Sequence, residues 1–323
     1  MTTVSIASNV SRARTNACSV LLQGGLIALP TETVYGLAAD ATNGSAVARI
    51  FETKGRPRFN PLICHMASLE MATRYVEMDD RARQLAEAFW PGPLTLVLPL
   101  KAGTPIHPLT TAGLDTLAVR VPTGFARSLI EEYDRPLAAP SANTSGRVSP
   151  TCAAHVDADL GSKIDLILDG GQAVIGLEST ILKPTPEGIG VLRPGGLPRE
   201  DIEQVMGQTL IRWDGTADAI EAPGMLRSHY APDANLQINA DHADKGDAII
   251  TFAGKSVPGQ EAASIVLDLS PSGDLREAAT NLFDCLIRAD AAANTTIRVV
   301  PIPTSGLGTA INDRLERAAA PRA

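Results

Sequence analysis

The sequence predicts a two-unit α/β protein: a large twisted open mixed sheet with helices, followed by a smaller Rossmann-like C-terminal domain. Three observations carry this expectation. The first two-thirds of the chain alternates short apolar runs with helical patterns. After about residue 235, strand and helix patterns alternate again on a smaller scale. Between them, 214-DGTADAIEAPGMLRSHYAPDAN-235 has weak periodicity and three turn formers, Pro223, Gly224 and Pro232. A length of 323 residues also exceeds one ordinary core. The expected limits are 1–211 for the larger unit, 212–233 for a linker and 234–323 for the smaller unit.

The elements follow in chain order. Leu26–Pro30 reads as a buried strand. Ser45–Lys54 reads as a helix with Ser45 as its N-cap and Gly55 as its stop. Asp80–Trp90 reads as a second helix, halted by Pro91-Gly92-Pro93. Strand-like runs follow at Leu94–Leu100, Thr116–Val121, Leu137–Pro140, Ile164–Leu168, Thr180–Leu182 and Gly190–Leu192. Asp201–Met206 closes the unit as a short helix. In the smaller unit, Asp247–Phe252, Ile265–Leu269 and Ile297–Pro301 read as strands, the first two parallel. Ser272–Asp290 and Ala310–Ala320 read as helices. The run 305-SGLGTA-310 lacks the third glycine of a dinucleotide fingerprint, so it carries little weight.

Composition narrows the function. A formal net charge of −8 argues against broad nucleic-acid binding, which leans on many cations, and aromatics at 4% offer few stacking rings. Cys18, Cys64, Cys152 and Cys285 are widely spaced, with no CxxC pair, and read as reduced thiols. The five histidines are equally scattered, so no zinc site is expected. The first twenty residues contain no apolar core of signal-peptide length, and a soluble cytoplasmic protein is the default expectation.

Four segments carry chemistry. In 54-KGRPRFNPLICH-65, Lys54, Arg56 and Arg58 cluster around Gly55 and Pro57. Lys54 and Arg56, two apart, would project to one side of an extended backbone and suit a polyphosphate; the plain alternative is a solvated charge run. In 30-PTETVYGLAADA-41, Thr31 and Thr33 place hydroxyls at a strand's carboxyl end, where α/β sheets hold ligands, or simply form a capped turn. The segment 138-AAPSANTSGRVSPT-151 offers hydroxyls and backbone amides for an anion, or an ordinary turn. Ser179 in 176-GLESTI-181 and Arg193 in 190-GVLRPGG-196 each add a polar group at a strand end. Arg120, inside the apolar strand LAVRV, must find a partner, and a bound carboxylate would supply one. Hydroxyls and cations recur without a catalytic triad, which suits phosphate chemistry.

In order, PTETVYGL, KGRPRFNPL, the SAN of PSANTSG, GLESTI and LRPGG resemble the Sua5/YrdC family over roughly residues 12–210, with a YrdC-like sheet. The segment APGMLRSHYAP and the tail resemble the added Sua5 domain, although Ala222 stands where many members have Ser. The resemblance implies an L-threonylcarbamoyladenylate synthase. Such a nucleotidyltransferase joins L-threonine, bicarbonate or CO2 and ATP, with Mg²⁺, into threonylcarbamoyl-AMP and pyrophosphate. Its product feeds t6A modification of tRNA adenosine 37 through downstream threonylcarbamoyl-transfer machinery, with no membrane or stable nucleic-acid contact of its own. By position, Thr33, His65, Arg120, Ala139 and Ser179 would contact threonine. Arg56, Asn60, Thr116, Ser141, Asn143, Ser149, Arg193 and Tyr230 would contact ATP. Lys54 and Arg56 would serve the phosphates as catalytic cations, and Tyr230 would bring the linker over the nucleotide as a lid. His65 would be a polar wall contact or would aid deprotonation of the threonine amine, the former being favoured. Two other classes compete: a carbamoyl-transfer enzyme of the hydrogenase-maturation type, and a double-stranded RNA-binding module. The first would bring zinc-finger cysteines that this chain lacks, and net charge −8 weighs against the second.

Overall fold

The computed structural model describes residues 2–212, 221–225 and 228–321. Residues 213–220 and 226–227 of the expected linker lie outside the described residues. The chain runs β1 (Thr2–Ser5), α1 (Val10–Leu22), β2 (Ile27–Leu29), β3 (Gly36–Asp40), α2 (Gly44–Lys54), β4 (Ile63–His65), α3 (Leu69–Ala72), α4 (Asp80–Phe89), β5 (Leu94–Pro99), α5 (Pro108–Thr111) and β6 (Thr116–Arg120). It continues with α6 (Gly124–Tyr133), β7 (Leu137–Ala138), α7 (Ala153–Leu160), β8 (Leu166–Asp169), β9 (Thr180–Thr185), β10 (Gly188–Arg193), α8 (Arg199–Met206) and β11 (Ile211–Arg212). Then come β12 (Asn235–Ile238), β13 (Ala248–Thr251), β14 (Ile265–Asp268), α9 (Leu275–Ala292), β15 (Thr296–Val299) and α10 (Leu307–Ala319).

Strands β1–β11 form one mixed sheet in the order β1-β8-β2-β3-β7-β4-β6-β5-β9-β10-β11. Strands β12–β15 form a second, fully parallel sheet in the order β12-β15-β13-β14. Among the described residues no helix is long and apolar enough to cross a membrane.

Alternation along β4, β5 and β6 positions everything that follows. Cys64, Leu96 and Val119 point into the main core. Their neighbours Ile63, Val97 and Ala118 point to the other face, and His65, Thr95 and Arg120 share that parity. One side of the sheet is therefore core, and the other carries a polar row beside an apolar patch.

Local signals explain where elements begin and end. Helix α2 is capped by Asn43, whose side chain accepts from the amides of Ser45 and Ala46, so the cap precedes the expected Ser45. Gly55 ends it in the left-handed region at φ 61°. Ten further elements, β1, α1, β3, β4, α3, α5, α6, α7, β11 and β12, were not expected. β3 is the small-residue run GLAAD, and β12 begins at the last residue of the weakly periodic stretch 214–235.

The core of the smaller unit reaches into the larger one. Val34 and Leu177 of the larger unit pack with Leu282, Phe283 and Leu286 of α9. Gly176, at φ +74°, lies tight against α9: an added Cβ would lie 2.5 Å from the Ala279 carbonyl oxygen and from the Thr280 Cα. Gly176→Ala is therefore expected to lower the urea unfolding free energy by about 1–3 kcal/mol, the usual cost of overpacking. An unchanged midpoint would mean that α9 yields at that contact.

Candidate active site

Thr33, His65, Arg120, Ala139 and Ser179 line a single narrow cavity of about 40 Å³. Thr31, Gly36, Glu178 and Arg193 complete much of its wall. The sheet brings them together: His65 and Arg120 are register partners at the ends of β4 and β6, and Thr95 opposes Arg120 from β5. The Thr95 and Ser179 hydroxyls then meet at 2.7 Å.

Arg120 was expected to need a partner such as a bound carboxylate, and a carboxylate of the chain itself supplies one. The Arg120 Nη2 lies 2.6 Å from Glu32 Oε1, and both side chains are buried. Its Nη1 donates to the Thr33 hydroxyl at 2.8 Å and its Nε to the Gly92 carbonyl at 3.1 Å. Two of its five N–H groups are hydrogen-bonded and Nη2 is ion-paired without a hydrogen bond, leaving donors on both terminal nitrogens. Glu32 is fixed in turn by the Thr123 amide.

His65 is buried, and its Nδ1 has no hydrogen-bond partner. Burial, then the adjacent Arg120 cation, pushes its pKa down to about 3. The ring in the cavity wall is therefore neutral at physiological pH.

A cationic half adjoins this wall. Lys54 is 1% exposed, and its ammonium donates to the Ser141 and Asn143 carbonyls at 2.6 and 2.5 Å. The expected extended Lys-x-Arg geometry does not form, because Lys54 ends α2 and Gly55 reverses the chain. Arg56 is buried against Asn60: Nε meets its carbonyl at 3.1 Å, and Nη2 meets Oδ1 at 2.7 Å and the Pro61 carbonyl at 2.8 Å. Arg193 grips the Ser179 carbonyl through Nη2 at 2.9 Å and reaches the linker at the Pro223 carbonyl at 3.4 Å. Burial first, then Arg193, lowers the Arg56 pKa to about 9; Lys54 is lowered by burial and then by Arg56. Arg193 thus acts on Arg56, and Arg56 on Lys54. Arg58, by contrast, is exposed.

The linker closes the open face. Ala222 is fully buried in a cluster with Ile63, Val97, Ala118, Ile181 and Leu192, with Met225 packed alongside. A Cβ on Gly224 would lie 2.8 Å from Arg193 Cδ and 3.3 Å from the Tyr230 hydroxyl, so only a glycine fits between them. Tyr230 is buried, with no partner for its hydroxyl.

The remaining expected residues divide. Ser141 and Asn143 meet Lys54 through their carbonyls, while the Asn143 side chain turns inward to the Thr144 and Arg147 carbonyls. Ser149 is fully buried and donates to Glu178 at 2.5 Å, so its hydroxyl faces a carboxylate. Thr116 stands at the far end of β6, half-buried, on the face that carries Ala118 and Arg120. Sequence reasoning passed over Glu32, Glu178 and Arg314. Glu32 sits between the two threonines of PTET, and a carboxylate inside a hydroxyl motif was the available signal. Burial alone would raise the Glu178 carboxyl; Arg314, then Arg193, outweigh it and bring it to about 2. Among the described residues no group of three or more His, Cys, Asp or Glu is placed to hold a metal ion.

Comparison with known proteins bears on this geometry. A family model described as "Telomere recombination" (Sua5/YciO/YrdC) matches residues 19–195, and one described as "Threonylcarbamoyl-AMP synthase, C-terminal domain" matches residues 197–320. The threonylcarbamoyl-AMP synthase of Pyrococcus abyssi is 44% identical, with 94% of this chain and 92% of that protein aligned. That of Bacillus subtilis is 39% identical over 95% and 92%. A crystal structure of P. abyssi Sua5 complexed with L-threonine superposes with a TM-score of 0.87 at 40% identity, covering 98% of this chain and 96% of that one.

The buried histidines set a pH dependence. His65 and His229 both titrate near 3 in the folded protein, against 6.5 when unfolded. The unfolded chain binds the extra protons in that window, so stability falls as pH drops from 6.5 toward 3. Urea titrations of His65→Gln between roughly pH 6 and pH 4 should show a slope shallower than that of the parent by up to about 1.4 kcal/mol per pH unit. Equal slopes would mean that the folded protein accommodates a charged His65.

Proposed function

The chain belongs to the Sua5/YrdC family of threonylcarbamoyl-AMP synthases, and from that premise we propose that it condenses L-threonine, bicarbonate or CO2 and ATP into L-threonylcarbamoyl-AMP and pyrophosphate for t6A37 modification of tRNA. The observation that carries the reading is the division of the site. The cavity around Arg120 and Glu32 is charge-balanced, whereas the hydrogen bonds described for Lys54, Arg56 and Arg193 beside it go to carbonyls and the Ser179 hydroxyl, none of which carries a charge.

A zwitterionic amino acid suits the balanced half. The free donors on the Arg120 terminal nitrogens meet the threonine carboxylate, and Thr33, Ser179 and the Ala139 backbone surround the rest. Neutral His65 serves as a polar wall. Polyphosphate suits the cationic half, where Arg56, Asn60, Ser141 and Arg193 face ATP. The carbamate oxygen of N-carboxythreonine is already anionic and attacks the α-phosphorus without a base. The bond to the β-phosphate oxygen breaks, and pyrophosphate leaves toward the cations. The linker excludes water from the labile adenylate, with Tyr230 beside the nucleotide.

With no protein cage among the described residues, and with Glu32 and Glu178 engaged by arginines, the donor set fits a Mg²⁺ carried in on the ATP phosphates. Bound that way, the ion would supply charge neutralisation at the phosphates, beside Lys54, Arg56 and Arg193. The expected domain limits, 1–211, 212–233 and 234–323, are proposed to separate the catalytic unit, the lid and its support.

Pyrophosphate release should require both L-threonine and bicarbonate. Release that ignores threonine would sink the reading. Arg56→Ala should reduce turnover by about 100-fold, the scale of losing one electrostatic contact to the reacting centre, with the far-UV spectrum unchanged. Turnover within twofold of the parent would place the phosphates elsewhere.

A further inference from the structure

Arg314 is fully buried, yet it belongs to α10 of the smaller unit and reaches across to the larger one. Its Nε donates to Glu178 Oε2 at 2.8 Å and its Nη1 to Asp313 Oδ2 at 2.6 Å. Its Nη2 has no hydrogen-bond acceptor. Instead the guanidinium carbon lies 5.2 Å from the centre of the Tyr230 ring, within cation–π range. The opposite requirement sits on Tyr230. Its backbone is left-handed at φ +61°, a region a bulky side chain occupies only when its surroundings force it. Those surroundings are Arg314 and Phe283, whose ring stacks on Tyr230 at 5.6 Å and 25°. On either side the backbone is tied to different units: the His229 amide donates to the Arg317 carbonyl and the Ala231 amide to the Gly146 carbonyl.

One guanidinium therefore touches two parts of the site. Glu178 lines the cavity, and its other oxygen accepts from Ser149. Tyr230 lies against Gly224, which lies against Arg193. Arg314 itself lines no part of the cavity.

We infer that Arg314 is a positioning residue for the reaction: from the smaller unit it fixes the Glu178 carboxylate beside the amino-acid cavity and holds Tyr230 in its left-handed conformation over the nucleotide side. The inference rests on the site reading proposed above, and it gives the smaller unit a part in the chemistry rather than in folding alone. Lysine could satisfy Glu178 with a point charge, but it has no planar face to lay on the ring.

The test uses the full chain carrying Arg314→Met or Arg314→Lys, with two readouts. Hydrogen exchange at the His229 and Ala231 amides needs no turnover; in either variant it should accelerate about tenfold, while core amides of β5 and β6 stay protected. In turnover, the fraction of pyrophosphate matched by intact adenylate should fall about threefold, because a loose cover admits water. A merely structural role lowers the folded fraction and leaves that ratio unchanged. If Arg314→Met fails to fold, Arg314→Lys decides. A folded variant with parental exchange at both amides and a parental ratio overturns the proposal. If the parent releases no threonine-dependent pyrophosphate, the assigned reaction fails, while the exchange measurement still decides whether Arg314 holds the linker.

Discussion

Burying cations in an acidic chain is the constraint around which the site is built. An unsolvated ammonium or guanidinium would cost several kcal/mol, a large share of a fold's net stability, so each must be met inside the protein. Two solutions are used. Arg120 and Arg314 are met by carboxylates, Glu32 and Glu178, which cancel their charge. Lys54, Arg56 and Arg193 are met mainly by backbone carbonyls, which solvate a cation without neutralising it. The carbonyls require the loops around Asn60 and Ser141 and the strand end at Ser179 to hold their courses. The uncancelled charge leaves a positive field inside a chain of net charge −8. Local structure and ligand preference thus follow from the same requirement.

Much of the fold was readable because strands rich in branched residues and helices with strong stops announce themselves. Leu94–Pro99 and Thr116–Arg120 lie within a residue of the runs marked in the sequence. The failures have a common physical origin. β3 and β4 are short and lack a local pattern; pairing with neighbours, not propensity, makes them strands. α1 buries only Ala13, Ala17 and Leu21, a stripe too thin to stand out. Asn43 rather than Ser45 caps α2 because its side-chain oxygen reaches two amides from outside the helix.

The site was legible as residue types at strand ends and illegible as partnerships. Thr33, Arg120 and Ser179 were named from their segments and His65 and Ala139 from the family resemblance, and the sheet gathers all five around one cavity. What those residues bond to lies far along the chain. Lys54 meets carbonyls 87 and 89 residues away, and Arg314 meets Glu178 at a separation of 136. Only the folded topology makes such pairs neighbours, so a lysine that reads as an open phosphate contact proves to be caged. Ser149 shows the same effect in reverse: a hydroxyl in a promising loop is committed to a carboxylate.

Ala222 has a further consequence. The cover is seated there by a methyl group among Ile63, Val97, Ala118, Ile181 and Leu192, a contact with no hydrogen bond in it. Lifting the cover wets apolar surface, and apolar hydration carries a positive heat capacity. Closure of this cover therefore has a thermal character of its own: its grip slackens on cooling, whereas the ion pairs beneath it do not share that dependence.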